Sequence, residues 1–285
     1  FRMMKFKGIT RRRFAGFTAM GAAALTAAGT PVAAAPATGR LRRSDSFFGL
    51  HFDLHPSDQD KALGRDVTPE MVGRLLAAAK PDFVQYDSKG HPGWLGWPSK
   101  IGPSAPGIVR DSLEIWRKAT AERNVALYIH FSGVWDTRAV TEHPEWARVQ
   151  PDGKPDKDIT SLFGPYVDKL MIPELKEAVE KYDLDGLWID GDCWAVRMDY
   201  SEAARQAFQR ATGIAQLPKK EGEPGWREFI ELQREQFRTY VRHYADELHA
   251  FRPNLQVASN WLYTTFAPER PEVPVDYISG DYAGT

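Results

Sequence analysis

The sequence predicts an α/β fold, a (β/α)8 barrel of the TIM type with about six of its eight strands in this chain. Three observations predict it. Short apolar runs alternate with amphipathic helical segments six times, the pattern of parallel strands covered by helices. No Gly-rich phosphate turn follows the first run, which argues against an open doubly wound sheet of six strands. Polar and aromatic residues gather where the runs end, and barrels keep their chemistry at the C-terminal ends of their strands.

The first strand is read in Phe47 to His55, an apolar run that alternates with polar residues at its end. Thr68-Pro69-Glu70 then opens a helix, with threonine as cap, proline in the first turn and an acid near the positive end of the dipole. Met71, Leu75, Leu76 and Ala79 form its apolar face. Pro81 to Asp87 is the second strand, and Ser88 to Pro106 a loop rich in Gly, Pro and Trp. A helix over Asp111 to Arg123 leads to the third strand, Val125 to Phe131. Ser132 to Ser161 reads as a long loop. Pro165 to Tyr182 is helical, with Pro173 expected to kink it or split off its first turn.

The fourth strand lies in Asp185 to Trp194, where Leu187 and Ile189 take one face and Trp188 and Asp190 the other. It ends in two carboxylates, Asp190 and Asp192, around Gly191. A charge beside a packed core must be paired or solvated. Taken alone, the stretch is equally well a pair of turn residues or a catalytic pair. Helices at Ser201 to Thr212 and Trp226 to Phe251, a fifth strand at Leu255 to Asn260 and a sixth at Val275 to Ser279 complete the series. No helix follows the sixth strand, so a longer parent protein is expected.

Residues 1–34 read as an address. Thr10-Arg11-Arg12-Arg13-Phe14 looks like a twin-arginine signal, followed by an alanine-rich apolar run and small residues suited to cleavage. A disordered basic arm is the alternative. Residues 35–46 read as a linker and 47–285 as the catalytic barrel. Export to the periplasm or beyond is expected, with no membrane attachment after cleavage, and the single cysteine, Cys193, leaves no disulfide framework. The leader holds six of the chain's 37 Lys and Arg and no acid, so 31 bases face 38 acids beyond it, a net charge of −7. That sign and the lack of a basic stripe exclude a nucleic-acid partner.

The residues that follow the strands are His51, Asp53 and His55; Lys89, His91, Trp94 and Trp97; His130 and Trp135; Asp190, Asp192 and Trp194; Asn260 and Trp261; Asp281 and Tyr282. Five of the nine tryptophans are in this set. Flat rings backed by carboxylates, amides and imidazoles suit a sugar, which offers apolar C–H patches and many hydroxyls. A carbohydrate partner is therefore expected, with no cofactor and no metal.

These residues carry a resemblance. Phe48 to Phe52 is similar to the segment that opens the catalytic barrel of the α-L-fucosidases, glycoside hydrolase family 29. Ser88 to Trp94 resembles that family's segment after strand two, Leu127-Tyr128-Ile129 with Trp135 its third strand, and Leu187 to Gly191 its Trp-x-Asp-Gly strand. The resemblance implies a retaining glycosidase with Asp190 as nucleophile. Asp281, which ends another strand, is the first choice for the acid, and Asp192 the second. His51, Asp53, Lys89, His91, Trp94, His130, Trp135, Trp194, Asn260 and Trp261 are then candidates for holding the sugar. The family's paired histidines after strand two are here Lys89 and His91. His143-Pro144-Glu145-Trp146 resembles barrel hydrolases near the β-galactosidases instead. Two other readings stand beside these: a carbohydrate-binding barrel without chemistry, and a metal-dependent amidohydrolase using His51, Asp53 and His55 on one strand face.

Overall fold

The computed structural model describes residues 40–261, 267–268 and 270–279. The leader, Asp281 and Tyr282 lie outside them. Six parallel strands form one sheet in the order β1-β2-β3-β6-β7-β8: β1 Gly49–Phe52, β2 Phe83–Lys89, β3 Ala126–Ser132, β6 Gly186–Asp190, β7 Gln256–Asn260 and β8 Tyr277–Ser279. Strands three places apart in a flat sheet would stand roughly 14 Å apart. The rings of His51 on β1 and Trp188 on β6 are nonetheless 5.5 Å apart between centroids. The sheet therefore curls into a half-barrel, and its concave face becomes an interior.

Alternation along each strand sorts residues between that interior and the helices. Val84, Tyr86, Leu127, Ile129, Phe131, Leu187, Ile189 and Val257 join the apolar core beneath the helices. Helices α1 (Pro69–Ala79), α2 (Ser112–Ala121), α4 (Ile172–Tyr182), α5 (Glu202–Thr212) and α6 (Trp226–Phe251) connect the strands. The caps act as their residue types predict: Thr68 Oγ1 accepts from Met71 N at 3.1 Å, and Asp111 Oδ1 from Glu114 N at 3.2 Å. Pro173 does split its helix, since a π-helical turn, Val167–Met171, precedes α4.

Three segments differ from the sequence reading. β1 is shorter than Phe47 to His55, because Asp87 takes the Leu54 and His55 amides onto one side-chain oxygen and ends the ladder. The loop after β3 holds a short helix α3 (Thr137–Glu142), capped by Asp136, and a hairpin of β4 (Ala147–Val149) with β5 (Pro155–Thr160). The end of the linker is docked: Arg40 Nε meets Asp185 at 2.7 Å, and the Arg43 guanidinium lies over the Phe83 and Tyr277 rings. Among the described residues no helix is long and apolar enough to cross a membrane.

Candidate active site

The C-terminal ends of β1, β2, β3, β6 and β7 bring one connected group of polar side chains to the interior. His130, on β3, stands at its centre and is 1% exposed. Its Nδ1 is 3.0 Å from Asp87 Oδ1 and its Nε2 is 3.1 Å from Asp190 Oδ2. Burial alone would lower its pKa, but the two carboxylates outweigh burial and raise it to about 10. His130 is thus an imidazolium at neutral pH, shared by two aspartates. For Asp190 burial pulls the other way, yet the His130 hydrogen bond and charge, with Asn260 and His91, hold its carboxyl well below the usual range. Asn260 Nδ2 donates to Asp190 Oδ1 at 2.6 Å. Asp87 is also held low, since His130 and the amides above it outweigh its burial.

His91 completes the near side. Its Nε2 lies 3.5 Å from Asp190 Oδ2, and its Nδ1 is 2.7 Å from Ser132 Oγ. Trp135 stacks on it at 4.5 Å and 11°. Burial lowers the His91 pKa against the pull of Asp190. From His91 a cleft of about 560 Å³ opens past Trp135, Trp94, Arg138, Asp58 and Asp158. Trp94 forms its far wall beneath the Arg138 guanidinium, 3.9 Å from the ring centroid. Trp194 backs Trp135 edge-on at 5.4 Å. His51, hydrogen-bonded to Gln85, and Trp188 form the floor beneath His130. Asp53, its side chain 60% exposed, sits above at 2.7 Å from His55 Nε2.

Lys89 is not in this group. A register shift between Asp87 and Lys89 turns its side chain to the helix side, and a bulge of this kind reverses which face a residue takes. There it meets Asp136 at 2.7 Å and Glu174 at 2.8 Å, fully buried. Asp192 also leaves the mouth. Gly191 adopts φ 75°, so the chain turns, and both Asp192 oxygens face Tyr240, Tyr244 and Ser259 under α6. Trp261 packs on Phe237 at 4.7 Å and donates to Pro268 O; Trp97 is buried against Glu177. Asp281 lies outside the described residues.

Asp87, Gln85 and Ser132 belong to the group and were not picked out from sequence. The alternation Phe83, Gln85, Asp87 along β2 is the signal for the first two.

No protein-family profile matches the sequence, and no curated protein matches it. Solved structures do share its fold. α-L-Fucosidase isoenzyme 2 from Paenibacillus thiaminolyticus superposes with a TM-score of 0.63 at 24% identity, over 75% of this chain and 32% of that one. β-Galactosidase from Marinomonas ef1 gives 0.54 at 14% identity, over 77% and 38%. β-Galactosidase from Rahnella sp. R3 gives 0.52 at 16% identity, over 80% and 39%. The chain spans about a third of the length of these proteins, and the likeness is one of fold.

Proposed function

We propose that this chain carries the catalytic half-barrel of an exported glycoside hydrolase, a retaining enzyme of the α-L-fucosidase kind with Asp190 as its nucleophile. The observation that carries the reading is the state of Asp190: a carboxylate at a strand's C-terminal end, kept ionised by the His130 imidazolium and oriented by Asn260. An anion fixed in this way, beside an aromatic cleft, suits attack on an anomeric carbon.

In the first step an Asp190 oxygen forms a bond to C1 of the sugar as the C1–O bond to the leaving group breaks. A second carboxylic acid gives its proton to the departing oxygen. In the second step that group, now a carboxylate, takes a proton from water, the water oxygen bonds to C1, and Asp190 is released. Retention needs the two carboxyls about 5–5.5 Å apart. Asp281, following β8, is the first choice for the acid. Asp53 is the second, being exposed at the mouth. The Paenibacillus fucosidase favours fucose and the two β-galactosidases favour galactose as the sugar to test first.

The test is a panel of aryl glycosides with the purified protein. Asp190→Gly is expected to lose turnover on the sugar that the wild type cleaves, and azide to restore part of it. Unchanged turnover in that variant removes the assignment. Export by the twin-arginine route belongs to the same proposal, and cytoplasmic retention of an Arg12→Lys, Arg13→Lys chain is the expected outcome of its test.

A further inference from the structure

The edge of the mouth holds two nitrogen atoms and an oxygen arranged in a way that sugar binding does not require. Ser132 Oγ donates its single hydrogen to Trp135 O at 2.6 Å. Toward His91 Nδ1, 2.7 Å away, it can then only accept. In its neutral form His91 therefore carries its proton on Nδ1 and presents a lone pair at Nε2. That lone pair faces Asp190 Oδ2, another acceptor, at 3.5 Å. Two acceptors aimed at each other are held together either by a proton on His91 or by a metal cation between them. The stacked Trp135 ring fixes the plane in which His91 presents its nitrogen.

His55 supplies the third atom. Its Nε2 is shielded from solvent and makes no hydrogen bond, with Asp53 Oδ1 2.7 Å and Asp87 Oδ2 3.8 Å away. The ligand atoms of His55, His91 and Asp190 all lie within 4.8 Å of one another. Tetrahedral ligands about 2.0–2.1 Å from a zinc ion are about 3.3 Å apart, close to the His91–Asp190 separation. Two imidazoles and one carboxylate suit zinc, cobalt or copper rather than magnesium or calcium.

We propose that His55 Nε2, His91 Nε2 and Asp190 Oδ2 form a binding site for one divalent transition-metal cation of the zinc class, its fourth position left to water or another ligand. Ser132 acts behind it as a positioning residue, since it holds the tautomer in which His91 can bind a metal. An ion here engages the Asp190 oxygen that would attack a sugar, so cation and glycoside compete. Only this last consequence rests on the hydrolase reading.

The experiment uses untagged, chelator-washed protein titrated with cobalt(II), followed by visible absorption, and with zinc by calorimetry. One ion per chain is expected. His55→Ala and His91→Ala abolish stoichiometric binding, Ser132→Ala weakens it about ten- to hundredfold, and His143→Ala, at an exposed histidine beside Trp146, leaves it unchanged. Circular dichroism checks that each variant is folded, and His91→Gln replaces His91→Ala if the latter is not. Absence of wild-type binding at about 1 mM cation, or equal binding by folded His55 and His91 variants, overturns the site. Stoichiometric cobalt binding by a chain that cleaves no glycoside supports the site and counts against the hydrolase reading alone.

Discussion

Asp190 and Asp192 are two residues apart and live in opposite electrostatic worlds. Asp190 is 7% exposed and takes its hydrogen bonds from an imidazolium and an amide. Asp192 is 0% exposed and takes them from three hydroxyls, of Tyr240, Tyr244 and Ser259. Burial opposes ionisation in both. At Asp190 a formal positive charge wins and the carboxyl stays ionised. At Asp192 neutral donors do not offset burial, and its pKa is pushed up to about 7. Here three hydroxyls do not keep a fully buried carboxyl ionised beside the Asp190 charge, whereas an imidazolium does so for its neighbour. Sequence position, nearly the same for both, says nothing of this.

The largest expected break in that comparison is in activity. Asp190→Asn should lower kcat/KM by about a thousandfold or more, while Asp192→Asn, whose amide oxygen can accept from Tyr244 and Ser259 as its NH2 donates to the Tyr240 oxygen, keeps kcat/KM within a few-fold. Kinetics on the aryl glycoside cleaved by the wild type check both. A comparable loss in the two variants would erase the distinction.

Next comes the cation. His130→Ala leaves Asp87 and Asp190 without their shared charge, and breaking such a buried arrangement is expected to cost about 3–5 kcal/mol. Urea midpoints measure it, and His130→Gln should recover part of the stability while turnover stays low.

The pH dependence sharpens the contrast further. The folded pKa of Asp192, about 7, lies above its ordinary value of 3.8. Its contribution is thus fully present below about pH 4 and is lost as pH rises through about 7. Asp190 has the opposite sign, since its folded pKa is depressed: its contribution is present above its ordinary value and is lost on acidification. Asp192→Asn should therefore flatten the decline in the urea midpoint between about pH 4 and 7, on the order of 3–4 kcal/mol. A slope unchanged by the substitution contradicts the assigned environment.

The smallest effects separate the tryptophans. Trp135→Ala removes the ring stacked on His91 and should raise KM about two- to tenfold. Trp97→Phe, at a ring buried against Glu177, should leave KM unchanged and lower only the melting temperature. Paired kinetic and melting curves distinguish them.

Much of the scaffold was legible because local chemistry states it. The Thr68-Pro69 start, the Asp111 cap and the Pro173 break each act within one helical turn, and Leu187 and Ile189 show their face by alternation. His51, His91, His130, Trp135, Asp190 and Asn260 converge for the same reason, being inward residues or residues just past a strand end. Lys89 and Asp192 did not, because a backbone event intervenes that residue types do not announce. A bulge before Lys89 reverses its face, and Gly191 at positive φ turns Asp192 toward α6. The role of Asp87 was hidden in a strand that reads as ordinary. Its meaning comes from His130, 43 positions away.

Mass spectrometry of the protein after brief exposure to 2-deoxy-2-fluoro glycosyl fluorides of the L-fuco and D-galacto series tests the nucleophile directly. A single added glycosyl mass on the peptide containing Asp190, absent from Asp190→Asn, is the predicted result. A label on any other residue, or an equal label on Asp190→Asn, would contradict it.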